Sequence, residues 1–208
     1  AMAGIALTLM AVGNVIGQQF TGRLVDALGR ATTVADRPTV VRYSKERMPD
    51  AIPELSHRGE GRDRVDLLSV HDDARILVIG HGQMAGMGLD VAERLRVQGL
   101  PCTVVDPLWD LPVGPELLEL VQEHALVVTI EDNLVVGGLG QRLATTVVDS
   151  DASVLTFGLP QQFLRQGSRS EVLEEVGLTA RDISRQVLER VMGDQELAGR
   201  VLVSSPES

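Results

Sequence analysis

Four short apolar runs recur after residue 73, and the segments between them carry apolar residues three and four positions apart. Residues 74–80 (ARILVIG) form a near-continuous apolar run, the pattern of a strand buried on both faces. Residues 84–98 place Met84, Met87, Leu89, Val91, Ala92 and Leu95 on one helical face, with Asp90, Glu93, Arg94 and Arg96 elsewhere. Gly99 stands where a helix end takes glycine. Residues 102–106 (CTVVD) predict a second strand, and 115–124 a second helix with Pro115 in its first turn. A third strand over 125–131 leads to a helix over 139–148, and a fourth strand over 153–158 follows. Helices over 169–176 and 179–192 close the series, the second opened by Thr179 as N-cap with Asp182 three residues on. Strands alternating with helices predict an α/β fold: a mostly parallel sheet flanked by helices on both faces.

The first part of the chain breaks this pattern. Residues 1–22 carry no charge, and their apolar stretch, 3–16, is shorter than the ~20 residues a bilayer requires. No basic segment or small-residue cleavage site accompanies it, so neither a membrane span nor a secretory signal is expected. Residues 22–30 (GRLVDALGR) resemble a short loop motif of major-facilitator transporters. By their own pattern they belong to an amphipathic helix over 20–28 that precedes a strand at 39–43 (TVVRY). Residues 44–73 are polar and broken by Pro49, Pro53, Gly59 and Gly61, which predicts an exposed linker. The expected plan is a separate N-terminal helix and strand segment (1–43), a linker (44–73), the α/β domain (74–193) and a frayed polar tail (194–208).

Charge and composition narrow the partners. Among 208 residues, 19 are Lys or Arg and 29 are Asp or Glu, a formal net charge of −10. That balance excludes a nucleic-acid groove and argues against an anionic membrane surface. Aromatic residues are 2%, so the core must be built from Leu, Val, Ala and Ile. Cys102 is the one cysteine, which excludes a disulfide framework and a cysteine-based zinc cluster. His57, His71, His81 and His124 show no metal-ligand spacing. A cytoplasmic protein is expected.

Functional groups of parallel sheets gather at the carboxyl ends of the strands. Those ends are Gly80-His81-Gly82, Asp106-Pro107, Glu131-Asp132-Asn133 and Gly158-Leu159-Pro160. Residues 80–88 (GHGQMAGMG) follow a strand and precede a helix, as a phosphate cradle would. Their glycine spacing is neither GxGxxG nor a P-loop, so a tight strand-to-helix turn is the expectation, with His81 a turn histidine rather than a base. Glu131 and Asp132 could perform acid–base work if one were desolvated. In a strand their side chains point to opposite faces, which argues against a shared proton and for a capping or contact role. No GxSxG elbow is present, and the residues alone name no reaction.

The segments together go further. DRPTVVRY, ILVIGHGQM, CTVVDPLW, LVVTIEDNLVVGGLG, VLTFGLPQQFLRQGS and LEEVGLTARDI, in that order, resemble the C-terminal part of the 1-deoxy-D-xylulose-5-phosphate synthases. These are thiamine-diphosphate enzymes of the transketolase superfamily. The block over 131–140 alone would also suit the β subunits of 2-oxoacid dehydrogenases; GLPQQFLRQGS followed by EEVGL favours the synthases. The resemblance implies a transketolase C-terminal-type domain of a transferase that condenses pyruvate with glyceraldehyde 3-phosphate, in the isoprenoid precursor pathway. Thiamine diphosphate and magnesium serve the full family enzyme through a GDG…N motif and a glutamate in earlier domains, and this chain contains no GDG. No cofactor or metal is therefore expected for this chain alone, which reads as truncated or split and inactive by itself. Residues 1–43 then read as a remnant of the preceding pyrimidine-binding domain or as a fused piece. Of the two family arginines that hold the aldehyde phosphate, one matches Arg42, the single substrate-binding residue expected here. The other is replaced by Leu108, and the family's YPRG reads YSKE at 43–46. No catalytic residue is expected. The expected partner is a second copy in a homodimer, or a separate N-terminal thiamine-binding subunit; the rival reading is a non-catalytic dimerisation or assembly module.

Overall fold

In the computed structural model, residues 29, 32, 34, 38–41 and 50–202 are described. The expected helix over 20–28, Arg42 and residues 203–208 lie outside them. The unit that begins at Ile52 carries every strand among the described residues. In chain order it consists of β1 (Ser56–Arg58), β2 (Val65–Ser69), β3 (Ile76–Gly80), α1 (Ala85–Val97), β4 (Cys102–Pro107), α2 (Pro115–Gln122) and β5 (Leu126–Leu134). Then follow α3 (Leu139–Thr146), β6 (Ser153–Leu159), α4 (Arg169–Glu175), α5 (Ala180–Gly193) and α6 (Gln195–Leu202). None of these helices is long and apolar enough to cross a membrane.

The six strands form one sheet in the order β1-β2-β4-β3-β5-β6. β4, β3, β5 and β6 are parallel, whereas β1 and β2 add an antiparallel edge. Successive side chains of a strand point to opposite faces, and the core divides accordingly. Ile76, Val78, Val104 and Val128 pack with Val91 and Leu95 of α1 and with Ile183 and Val187 of α5. Leu77, Ile79, Val105 and Val127 pack on the other face with Leu117 and Leu120 of α2 and Leu143 of α3. Both faces are covered, which is why the central strands read as unbroken apolar runs. Thr179 accepts from the Asp182 N–H as the N-cap of α5, and Gly99 holds φ +81 just past α1.

Three expectations are corrected. The proposed linker over 44–73 contains β1 and β2, whose Val65, Leu67 and Leu68 are buried. Its charges deceived because they belong to a sheet edge: Arg64 pairs with Asp66 at 2.7 Å and with Glu54 at 2.6 Å, and Arg58 forks onto Glu123. The tail from 194 is not frayed at its start, since Leu197 and Val201, one turn apart on α6, are buried against the α1–α5 layer. The strand at 39–43 is absent from its described part. Thr39–Val41 join no ladder, and Val40 is 90% exposed.

His124 sits at the end of α2 and is buried, with Nδ1–H donating to the Leu120 carbonyl at 2.7 Å. Burial is the main cause that holds its imidazole below the ordinary value near 6.5. The unfolded chain therefore binds this proton at a higher pH than the folded one. Folding stability should fall as pH drops from about 6.5 through the lowered folded value. His124→Asn keeps a donor to Leu120 and removes the titration. Urea midpoints measured against pH should lose part of their slope in that window; identical slopes would contradict the assignment.

Candidate functional site

The helix after β3 covers one face of the sheet and the helix after β5 the other, although β3 and β5 are neighbours. In sheets of this kind the carboxyl ends of two neighbouring strands whose helices leave to opposite faces mark the expected ligand crevice. The His81 N–H donates to the Ile130 carbonyl across it at 3.3 Å. Around that crevice the fold gathers His81, Asp106, Asp110, Glu131, Asp132 and Arg169.

The β3–α1 turn is fastened by a carboxylate. Buried Asp106, at the end of β4, accepts from the Gly82 N–H at 2.9 Å. That amide is committed to a carboxylate, and Gly82–Met84 form a 3-10 turn that runs directly into α1. His81 Nδ1 lies 3.2 Å from Asp110 Oδ1 and 3.9 Å from Asp106 Oδ1, so a protonated imidazole would pair with the loop after β4.

Glu131 is engaged on all sides. It is 2% exposed, and its oxygens accept from the Leu139 N–H (2.8 Å), the Gly140 N–H (2.8 Å) and the Asn133 amide (3.0 Å). The first two are N–H groups of the opening turn of α3, which have no partner within the helix. A carboxylate there also complements the positive end of the helix. This accounts for the glycine-rich entry. A Cβ on Gly138 would stand 2.6 Å from a Glu131 oxygen, and one on Gly140 would overlap the Thr129 hydroxyl. Glu131 is thus a helix anchor, with both of its oxygens engaged. Asp132 points the other way, as the strand geometry required, and pairs with Arg169 at 3.2 Å.

Asp110 and Arg169 were not legible in the sequence. Asp110 lies in an irregular loop, and Arg169 is 37 positions from its partner. The one available signal for Arg169 is its place directly after the GS pair, where Ser168 and Glu171 form a capping box that sets the start of α4. Leu108 follows β4 and donates its N–H to the Arg64 carbonyl at 3.3 Å. The nearby guanidinium of Arg64 is committed to Asp66 and Glu54.

The family cofactor, thiamine diphosphate with magnesium, would need carboxylate or carbonyl oxygens for the metal and free N–H groups for the diphosphate; only those groups bear on its fit to the described residues. The described residues include no group of three His, Cys, Asp or Glu side chains placed to hold a metal ion. The two buried carboxylates of the crevice already receive backbone N–H groups.

The transketolase C-terminal domain family matches residues 66–183. A 1-deoxy-D-xylulose-5-phosphate synthase of Clavibacter sepedonicus is 43% identical over 187 residues, 89% of this chain and 28% of that protein. One of Mycobacterium avium is 42% identical over 173 residues, 79% of this chain and 26% of that protein. The chain thus spans little more than a quarter of the length of these relatives. Among solved structures, one described as a split-gene transketolase, an inactive β4 tetramer, superposes with a TM-score of 0.52 at 23% identity. That match covers 77% of this chain and 48% of the other.

Proposed function

This chain belongs to the transketolase C-terminal domain family, and from that premise we propose that it serves as the C-terminal domain of a transferase like the 1-deoxy-D-xylulose-5-phosphate synthases. The observation that carries the reading is the identity with relatives of that name along most of this chain. The reaction it would serve joins pyruvate to glyceraldehyde 3-phosphate with loss of carbon dioxide, in the cytoplasm. The thiamine diphosphate and magnesium sites belong to other domains, in a longer polypeptide or in a partner subunit, and the chain alone is inactive. Its own contribution is architectural, with Arg42 as one contact to the aldehyde phosphate. The committed carboxylates of the crevice favour one second reading, a purely structural module that assembles subunits without touching substrate.

A reconstitution tests both. The chain is mixed with the thiamine-binding domains of the Clavibacter sepedonicus relative, thiamine diphosphate and magnesium. Carbon dioxide release dependent on both substrates is expected from the mixture and not from either part. A mixture no more active than the added domains alone would overturn the enzymatic reading. In an active mixture, the aldehyde phosphate meets Leu108 where the family carries a second arginine. Leu108→Arg restores a charged anchor and should lower the Michaelis constant for the aldehyde about tenfold, or about 1.4 kcal/mol. The pyruvate constant should not move. An unchanged aldehyde constant would mean that the alignment over 105–112 is wrong.

A further inference from the structure

The amino edge of the sheet, opposite the crevice, holds a cavity of about 280 Å³. It is bounded by the end of α2, by Arg58 of β1 and by the residues that lead into β3. Thr103 of β4 lies on the sheet face that α2 covers, since its neighbours Cys102 and Val104 pack on the other. The far end of β4, at Pro107, stands about 13 Å further along the strand, so cavity and crevice are separate places.

Two buried polar side chains line this cavity, each with a hydrogen-bonding atom to offer. Thr103 is 5% exposed, and its hydroxyl takes part in no hydrogen bond among the described residues. His124 is 8% exposed, and its Nδ1–H is committed to the Leu120 carbonyl. A neutral imidazole that donates from Nδ1 carries a lone pair on Nε2, and burial keeps this ring neutral near pH 7. Charge at the mouth is partly cancelled. Arg58 forks onto Glu123, whereas Arg75 forms no ion pair among the described residues. Asp72 and His71 complete the titratable lining, both exposed, where water and salt screen them.

We infer that this cavity binds a phosphate group, free or carried by a small monoester. Near neutral pH phosphate brings negative charge and an O–H together. The O–H donates to His124 Nε2, and the other oxygens accept from the Thr103 hydroxyl and the Arg75 guanidinium. Sulfate and carboxylates bring charge without a proton, so Nε2 would meet a second acceptor. The cavity is slightly smaller than the range of about 300–1,000 Å³ that suits drug-sized ligands, which limits the ester to a small one. Neither Arg42 nor Leu108 takes part, so the inference holds whether or not the proposed function does.

The test titrates the full chain near pH 7 with sodium phosphate, glycerol phosphate or sodium sulfate at constant ionic strength. NMR follows the ring resonances of the histidines, and His124→Asn identifies the His124 signal. Phosphate or its ester should move that signal to saturation and raise the pKa of the ring, because a nearby anion favours the imidazolium. His81, at the carboxyl edge, should not respond. The tighter binder of the two names the source of the group. Arg75→Gln should weaken binding about tenfold, or about 1.4 kcal/mol. Thr103→Val, which keeps the shape and removes the hydroxyl, should weaken it several-fold. Circular dichroism checks that both variants fold; if Thr103→Val does not, Arg75→Gln decides alone. A His124 signal indifferent to phosphate and to its ester would overturn the inference. So would an equal response to sulfate, or an Arg75→Gln protein that binds as tightly as the wild type.

Discussion

Glu131→Ala is expected to lower the melting temperature of the chain by about 12 °C. Alanine leaves the Leu139 and Gly140 N–H groups buried at the start of α3 with no acceptor. An orphaned buried donor costs about 1–3 kcal/mol, so two cost about 4 kcal/mol together. For a domain of this size 1 kcal/mol moves the midpoint by about 2–4 °C. Glu131→Gln separates the anchor from a charge effect. Its amide oxygen still accepts one N–H, but its NH2 group faces the other, so an intermediate loss is expected. Thermal denaturation followed by circular dichroism reads all three proteins. Were alanine to cost under 1 °C, the two N–H groups would have another acceptor and the anchor role would be wrong. Since the anchor lies beside Asp132 and the crevice, a loosened α3 also disturbs the entry to the candidate site.

The central fold was legible because its signals are local. Strands 3 to 6 read as apolar runs because both faces of the sheet are covered, and α1, α2 and α5 announced themselves by period and cap. β1 and β2 were not legible for the opposite reason. An edge strand needs charge to remain soluble, and Arg58, Arg64 and Asp66 look like a linker until Glu54 and Glu123 are seen to pair with two of them. α6 was missed because Leu197 and Val201 are a short apolar stripe within a polar tail. The site divides in the same way. That Glu131 and Asp132 face apart followed from strand geometry alone. That Glu131 holds α3 did not, because its partners return eight and nine residues later, after the turn at Gly137 and Gly138. The Asp132–Arg169 and His81–Asp110 pairs join different loops, and only the assembled sheet places them together.

Gly140→Ala should be nearly as damaging as loss of the anchor, for a steric reason. The opening turn of α3 lies so close to the sheet that a Cβ at 140 would overlap the Thr129 hydroxyl of β5. It would also stand 2.5 Å from the Thr156 methyl of β6. A buried strand on one side and a helix held by Glu131 on the other leave little room to yield. Overpacking of this kind costs roughly 1–3 kcal/mol and sometimes more. A loss of about 3 kcal/mol, near 9 °C, is expected at this site. The gain in helix propensity from glycine to alanine, about 1 kcal/mol, is too small to offset it. The obstacle can be removed from the other side. The buried Thr129 hydroxyl makes no hydrogen bond, so Thr129→Ala discards no partner. Thr156→Ser can turn its one remaining γ atom away from α3. Combined with Gly140→Ala, these two changes should recover more than half of the loss, a coupling that independent sites would not show. Equal destabilisation by Gly140→Ala with and without them would place the constraint in the backbone rather than in the two threonines.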